Sequence, residues 1–338
     1  MITFNYILKR MALSLALVLG VVAVTFVAIN FAPGDPALVW AGKPRGPEAA
    51  TAIESARRYL GLDLPLHIRL ATYICRFSTG DWGTSVRFKL PVLSIVVRSF
   101  AASLELIIYS FAIATPLALW LGTRAAVTRG STTDRVIYYV SAVLAGSPRF
   151  LLAGLLYLAL YVANYSYLGL RLDPAYSALR GPTGFATIDT LLLGRLDAFA
   201  DAVLRVIPPA LAISTYPLGV LVRIVRVALS EAFEEEYVRQ AVSLGIARKV
   251  VVRRYAFPSI LPVISQLSGL MFAYLLIDAM VVENVFSREG LGEIVAKAVV
   301  SSDYPLLIGA TVFVAIVLIA VNTIADIVQA TVDPRVRL

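Results

Sequence analysis

Apolar residues in this chain fall into runs of about 20, the length at which a helix rising about 1.5 Å per residue crosses a hydrocarbon core of about 30 Å. Six runs qualify, covering about residues 11–31, 101–121, 136–164, 203–227, 260–282 and 305–328. Lys9 and Arg10 stand before the first, Gly122 and Arg124 close the second, and Arg135 precedes the third. The fourth contains Pro208, Pro209 and Pro217, which kink a helix but are tolerated where neighbouring helices satisfy the freed carbonyls. Hydrocarbon admits only segments whose backbone bonds are satisfied internally, so the pattern predicts an all-α integral membrane protein with six transmembrane helices.

Composition agrees. Of 338 residues, 59% are hydrophobic and 15% charged, and the mean hydropathy is +0.81, too apolar for a solvated surface to enclose an aqueous globule. A formal charge of +8 would suggest nucleic acid in a soluble protein. Here the basic residues concentrate in short loops, where they set orientation, and nucleic acid is not an expected partner. Arg124, Arg129 and Arg135 lie between the second and third runs, and Arg223, Arg226, Arg239, Arg248, Lys249, Arg253 and Arg254 lie between or beside the fourth and fifth. Those loops are predicted to be cytoplasmic, and both termini with them. The segment after the fifth run carries Glu283, Glu289, Glu293 and Asp303 against Arg288 and Lys297, as an outer segment should.

The organisation expected is an N-terminal anchor over 1–31, an extracytoplasmic insert over 32–100, a five-span core over 97–329 and a cytoplasmic tail over 330–338. A second outer loop covers about 165–202. The first run has the basic start of a signal peptide, but it is long and no small-residue cleavage site precedes Pro33, which favours an uncleaved anchor. The insert is punctuated by glycine and proline and holds one expected helix, about 47–60, ending at Gly61. No internal repeat is visible.

The most informative stretch is the cytoplasmic loop at 231–258. Glu231, Glu234, Glu235 and Glu236 come first and Arg248 and Lys249 later, the order that complements the dipoles of short helices. Ala241 and Gly245 are four apart, which on a helix puts two small residues on one face open to a docking partner. The residue types equally fit a solvated helix stopped by Gly245.

From Glu236 to Gly245 the chain reads Glu-Tyr-Val-Arg-Gln-Ala-Val-Ser-Leu-Gly, followed by Pro262. Elsewhere it contains Ala32-Pro33-Gly34-Asp35-Pro36, Gly80-Asp81-Trp82-Gly83-Thr84-Ser85, Ser103-Leu104-Glu105-Leu106, Glu283-Asn284-Val285-Phe286, Asp303-Tyr304-Pro305 and Asp333-Pro334-Arg335. In that order these motifs resemble, from end to end, the first permease of the dipeptide, oligopeptide and nickel group of binding-protein-dependent ABC importers. The loop is about one residue shorter than in the family before Pro262, and Arg254 or Tyr255 stands where a histidine is common.

The resemblance implies the type I ABC importer permease fold in a plasma or inner membrane. It implies four partners: a second related permease, two ATPases and an extracytoplasmic binding protein. It makes 231–258 an ATPase-coupling loop carrying Glu236, Tyr237, Arg239, Ala241, Gly245 and Pro262, and peptides the expected substrate, with oligosaccharides or nickel as alternatives. No Gly-x-x-x-x-Gly-Lys-Ser/Thr loop is present, so ATP and Mg belong to the partners and no catalytic residue, metal or cofactor is expected in this chain.

Arg149 and Asp278 are charged and lie inside expected spans where the family has small or neutral residues. Counting helical rise puts both in the outer half, within reach of each other, as either a structural pair or part of a translocation path. Asp326 reads as an interfacial carboxylate, His67 as a surface or packing residue and Cys75 as a small buried one. A membrane-embedded enzyme would need a nucleophile and base or a carboxylate cluster within the spans, and none is visible. A lone secondary transporter would typically show repeats.

Overall fold

The computed structural model describes the backbone of residues 4–30, 36–42, 44, 46–59, 61–176, 178–179 and 181–332, and their side chains except at 4–7, 28–30, 36, 39, 59 and 325–332. Ala32–Asp35, Asp333-Pro334-Arg335 and the Asp326 carboxylate lie outside the described residues. Among the described residues fourteen α-helices follow one another: α1 Phe4–Asn30, α2 Pro36–Trp40, α3 Ala49–Tyr59, α4 Leu66–Ser78, α5 Val92–Val127, α6 Thr132–Gly146 and α7 Arg149–Val162. Then come α8 Ala186–Leu192, α9 Leu196–Ala232, α10 Glu236–Ser243, α11 Arg248–Val250, α12 Phe257–Phe286, α13 Leu291–Ser301 and α14 Tyr304–Val332. Among the described residues, pairing between extended segments is limited to one bridge, Thr84 to Pro91.

Among the described residues, five stretches are long and apolar enough to cross a membrane: Leu8–Val27, Val92–Val127, Leu196–Ala232, Arg248–Phe286 and Tyr304–Ile324. The third expected span differs. Instead of one helix over 136–164, α6 and α7 meet at 101°. Pro148 causes the break: it has no N–H to continue the ladder and pushes the residue before it out of the helical region, so Ser147 is extended at φ −74°, ψ 138°. The three prolines of α9 are tolerated, as expected, since Leu196–Ala232 runs through all of them as one helix.

The chain divides into two compact units. In the first, Met1–Ala101 with Glu289–Ile327, α1 packs through Val22 and Phe26 on Ile308 and Val312 of α14, with Tyr73 and Phe77 of α4 against the same cluster. Asp303 anchors this unit: it is fully buried and its carboxylate accepts from Ser85 Oγ at 2.5 Å, the Arg87 N–H at 3.0 Å and the Leu306 N–H at 3.3 Å. One of those donors belongs to the open first turn of α14, where a carboxylate is favoured. Cys75, expected to be buried, is exposed on α4, because that helix turns Tyr73 and Ile74 inward.

The second unit, Ala102–Arg288 with Val328–Leu338, is organised around α9. Leu221, Val222 and Leu229 of α9 pack with Ile260, Ile264 and Met271 of α12. Small residues set the approach of the helices: a Cβ on Gly219 would stand 2.4 Å from the Ser141 carbonyl oxygen and 2.7 Å from the Ala145 nitrogen of α6. Lipid tails offer no hydrophobic gain between helices, so close backbone packing of this kind is what holds spans together.

Candidate functional site

Three constellations in the second unit bear on function. The first is the turn that carries α10. At its edges Arg226 binds Asp134 through two nitrogens, Nε at 2.5 Å and Nη2 at 2.9 Å, Arg129 pairs with Glu234 at 3.2 Å, and Arg248 donates to the Val127 carbonyl at 2.6 Å. These contacts tie α5, α6 and α9 to the segment that holds α10. Val238 and Ala241 of α10 pack on Val251, with Phe233, Ile246 and Tyr255 around them.

Ala241 and Gly245 therefore do not share an exposed face. Ala241 is buried, since Val238 and Ala241 form the apolar side of a short amphipathic helix, and Gly245 lies beyond the helix end with φ +73° and its N–H on the Val242 carbonyl. What α10 and its end expose is Tyr237 at 44%, Val242 at 57% and Leu244 at 74%, with Glu236 and Arg239 also outward. Pro262 is exposed within the second turn of α12. Between α11 and α12, Val251–Ala256 winds as a π-helical turn.

The second constellation is Arg149, Asp278 and Tyr216, from α7, α12 and α9. Arg149 Nε lies 3.2 Å from Asp278 Oδ2, and its guanidinium carbon lies 4.0 Å from the centroid of the Tyr216 ring. The break at Pro148 makes this meeting possible by starting α7 at Arg149.

The third went unseen in the sequence. Glu105 of α5, 1% exposed, accepts from the Thr187 N–H and hydroxyl at 2.8 Å each, from Arg171 at 3.0 Å and from Arg288 at 3.2 Å. Arg171 also reaches the Gly184 carbonyl at 2.6 Å, and Asp189 gathers the Thr183 and Gly184 N–H groups. Nearer the start of α9, the Arg205 guanidinium bridges Asp201 of the same helix and Asp173 of the loop before α8. Glu105 stood in a motif that signalled it, but its partners are 66 to 183 residues away and no local spacing reveals them.

The family described as binding-protein-dependent transport system inner membrane component matches residues 114–338, and its N-terminal counterpart matches 1–118. The chain belongs to this family. Relatives of this permease include the probable D,D-dipeptide transport system permease protein DdpB of Escherichia coli (strain K12), 34% identical over 338 residues, covering 99% of this chain and 98% of the relative. The dipeptide transport system permease protein DppB of the same strain is 33% identical over 339 residues, 98% of each chain. The di/tripeptide transport system permease protein DppB of Pseudomonas aeruginosa (strain UCBPP-PA14) is 33% identical over 335 residues, again 98% of each. The permease is thus an all-α, multi-pass inner-membrane component of a transport system, and its family is one of transport proteins rather than enzymes.

Proposed function

We propose that this chain is one of two permease subunits of an ATP-driven importer that takes up di- or oligopeptides handed over by an extracytoplasmic binding protein. The observation that carries the reading is similarity along 98% or more of the chain to permeases of dipeptide transport systems. In this reading a second related permease completes the path and two partner ATPases bind ATP and Mg. The basic ends that flank α10 are cytoplasmic, both termini lie inside, and residues 32–100 and 165–202 face outward. Residues 97–329 are the translocation core and 1–31 an anchor.

The α10 turn, within the coupling loop 231–258, meets an ATPase. Tyr237, Val242 and Leu244 supply the apolar contact, Glu236 and Arg239 its polar rim, while Ala241 and Gly245 hold the turn in shape. The ion pairs at its edges carry ATPase motion into α6 and α9.

Co-expression with the partner subunits and reconstitution into proteoliposomes tests this. Labelled dipeptide should enter only with ATP and binding protein present. Leu244→Asp should leave the complex assembled and lower import about tenfold or more, since it places a charge in an apolar contact. Import by this polypeptide without ATPases, or native import by the Leu244→Asp complex, overturns the assignment.

A further inference from the structure

The Arg149 site differs in construction from three other charged clusters of the second unit. Arg226 grips Asp134 with two nitrogens, Arg205 spans two aspartates, and Glu105 has all its donors in place. In each of those three clusters two or more hydrogen bonds join the opposite charges. Arg149 and Asp278 touch through one nitrogen and one oxygen, and the Nε at that contact is not aligned for a hydrogen bond. Among the described residues no hydrogen bond reaches the Arg149 Nη groups or Asp278 Oδ1. The side chains keep 25% and 20% of their surface open. The guanidinium carbon lies over the Tyr216 ring, 4.0 Å from its centroid, a contact that uses none of the Nη hydrogens bonded elsewhere in such pairs.

A guanidinium held over an aromatic ring with its two-nitrogen edge unused is a receptor for a planar, twofold acceptor, which is a carboxylate. Exposing this charge to lipid is costly, so the open edge faces a watery space or the bundle interior. Asp278 holds the guanidinium weakly enough to be displaced and is itself an acceptor for an ammonium. Resting on the peptide-importer reading above, we propose that Arg149 receives the α-carboxylate of a translocating peptide, with Tyr216 fixing the guanidinium plane and Asp278 as the exchangeable counter-ion that meets the peptide's ammonium end. The site thereby selects zwitterionic peptides inside the membrane, after the binding protein has released them.

The test uses the complete importer in proteoliposomes with saturating binding protein and labelled dialanine. Arg149→Lys keeps the charge but loses the planar edge, and the exchange Arg149→Asp with Asp278→Arg keeps an ion pair but reverses it. Both complexes should assemble as the native one does and import dialanine about tenfold more slowly or worse, the scale of one lost charge-assisted hydrogen-bond pair. Import within twofold of native by either variant assigns the pair to architecture and overturns the proposal. So does failure of both variants to assemble. If the native importer carries a neutral oligosaccharide and not dialanine, the peptide reading itself fails and this inference falls with it, a result visible before any variant is made.

Discussion

Glu105 shows how much one side chain can hold. Its carboxylate joins α5 to the first turn of α8 and to two arginines, all at 2.8 to 3.2 Å with almost no exposed surface. Glu105→Gln would keep the shape but remove the charge that Arg171 and Arg288 share, which costs about 3–5 kcal/mol when a buried ion is left uncompensated. The expected outcome is a clear loss of thermal stability in detergent, measured beside Arg58→Ala, whose exposed pair with Glu54 should contribute under about 1 kcal/mol. Residue types alone reached part of this scale. Rise per residue brought Arg149 within reach of Asp278, and the two are 3.2 Å apart. The same helical arithmetic set Ala241 and Gly245 on one face, where it failed, because Val238 and Val251 draw Ala241 inward and the helix stops at Ser243.

At the level of elements, hydrophobic run length reveals where long helices lie but not where they bend. Pro148 breaks one stretch by 101°, whereas Pro208, Pro209 and Pro217 sit inside a continuous α9. Contacts between helices are also invisible to periodicity, and here glycine decides them. Gly219→Ala would press a methyl group into the α6 backbone at 2.4 Å from Ser141 oxygen, and α6 and α9 would have to separate. A loss of about 1–3 kcal/mol is expected, read as a lowered melting temperature of the purified protein. Gly20→Ala is the control: nothing lies within 4 Å of the added carbon in α1, so the change should be neutral or slightly stabilising through helix propensity.

For the whole molecule, the proposed orientation gives an experiment that uses the single native thiol. Cys75 is exposed on α4, so a membrane-impermeant maleimide should label it in right-side-out vesicles. In a Cys75→Ser background, Leu244→Cys should react only after the membrane is opened; the reverse pattern inverts the topology. Membrane residence and helical class were legible from composition and run length, and the family from motifs spread over the chain. Apart from Arg149 with Asp278, the ion pairs that join its helices were not, because Glu105 with Arg288 and Arg226 with Asp134 link residues far apart in sequence. The π-helical turn at Val251–Ala256 sets a last condition on the chain. A π turn is an α-helix carrying an extra residue, and each residue of an α-helix turns it by about 100°. Val251 is pinned against α10 at one end and Asp278 faces Arg149 near the other. Chain length between them is therefore an angular setting: removing one residue at the turn would rotate α12 like a key in its lock and swing Asp278 off the guanidinium, with every remaining side chain unchanged.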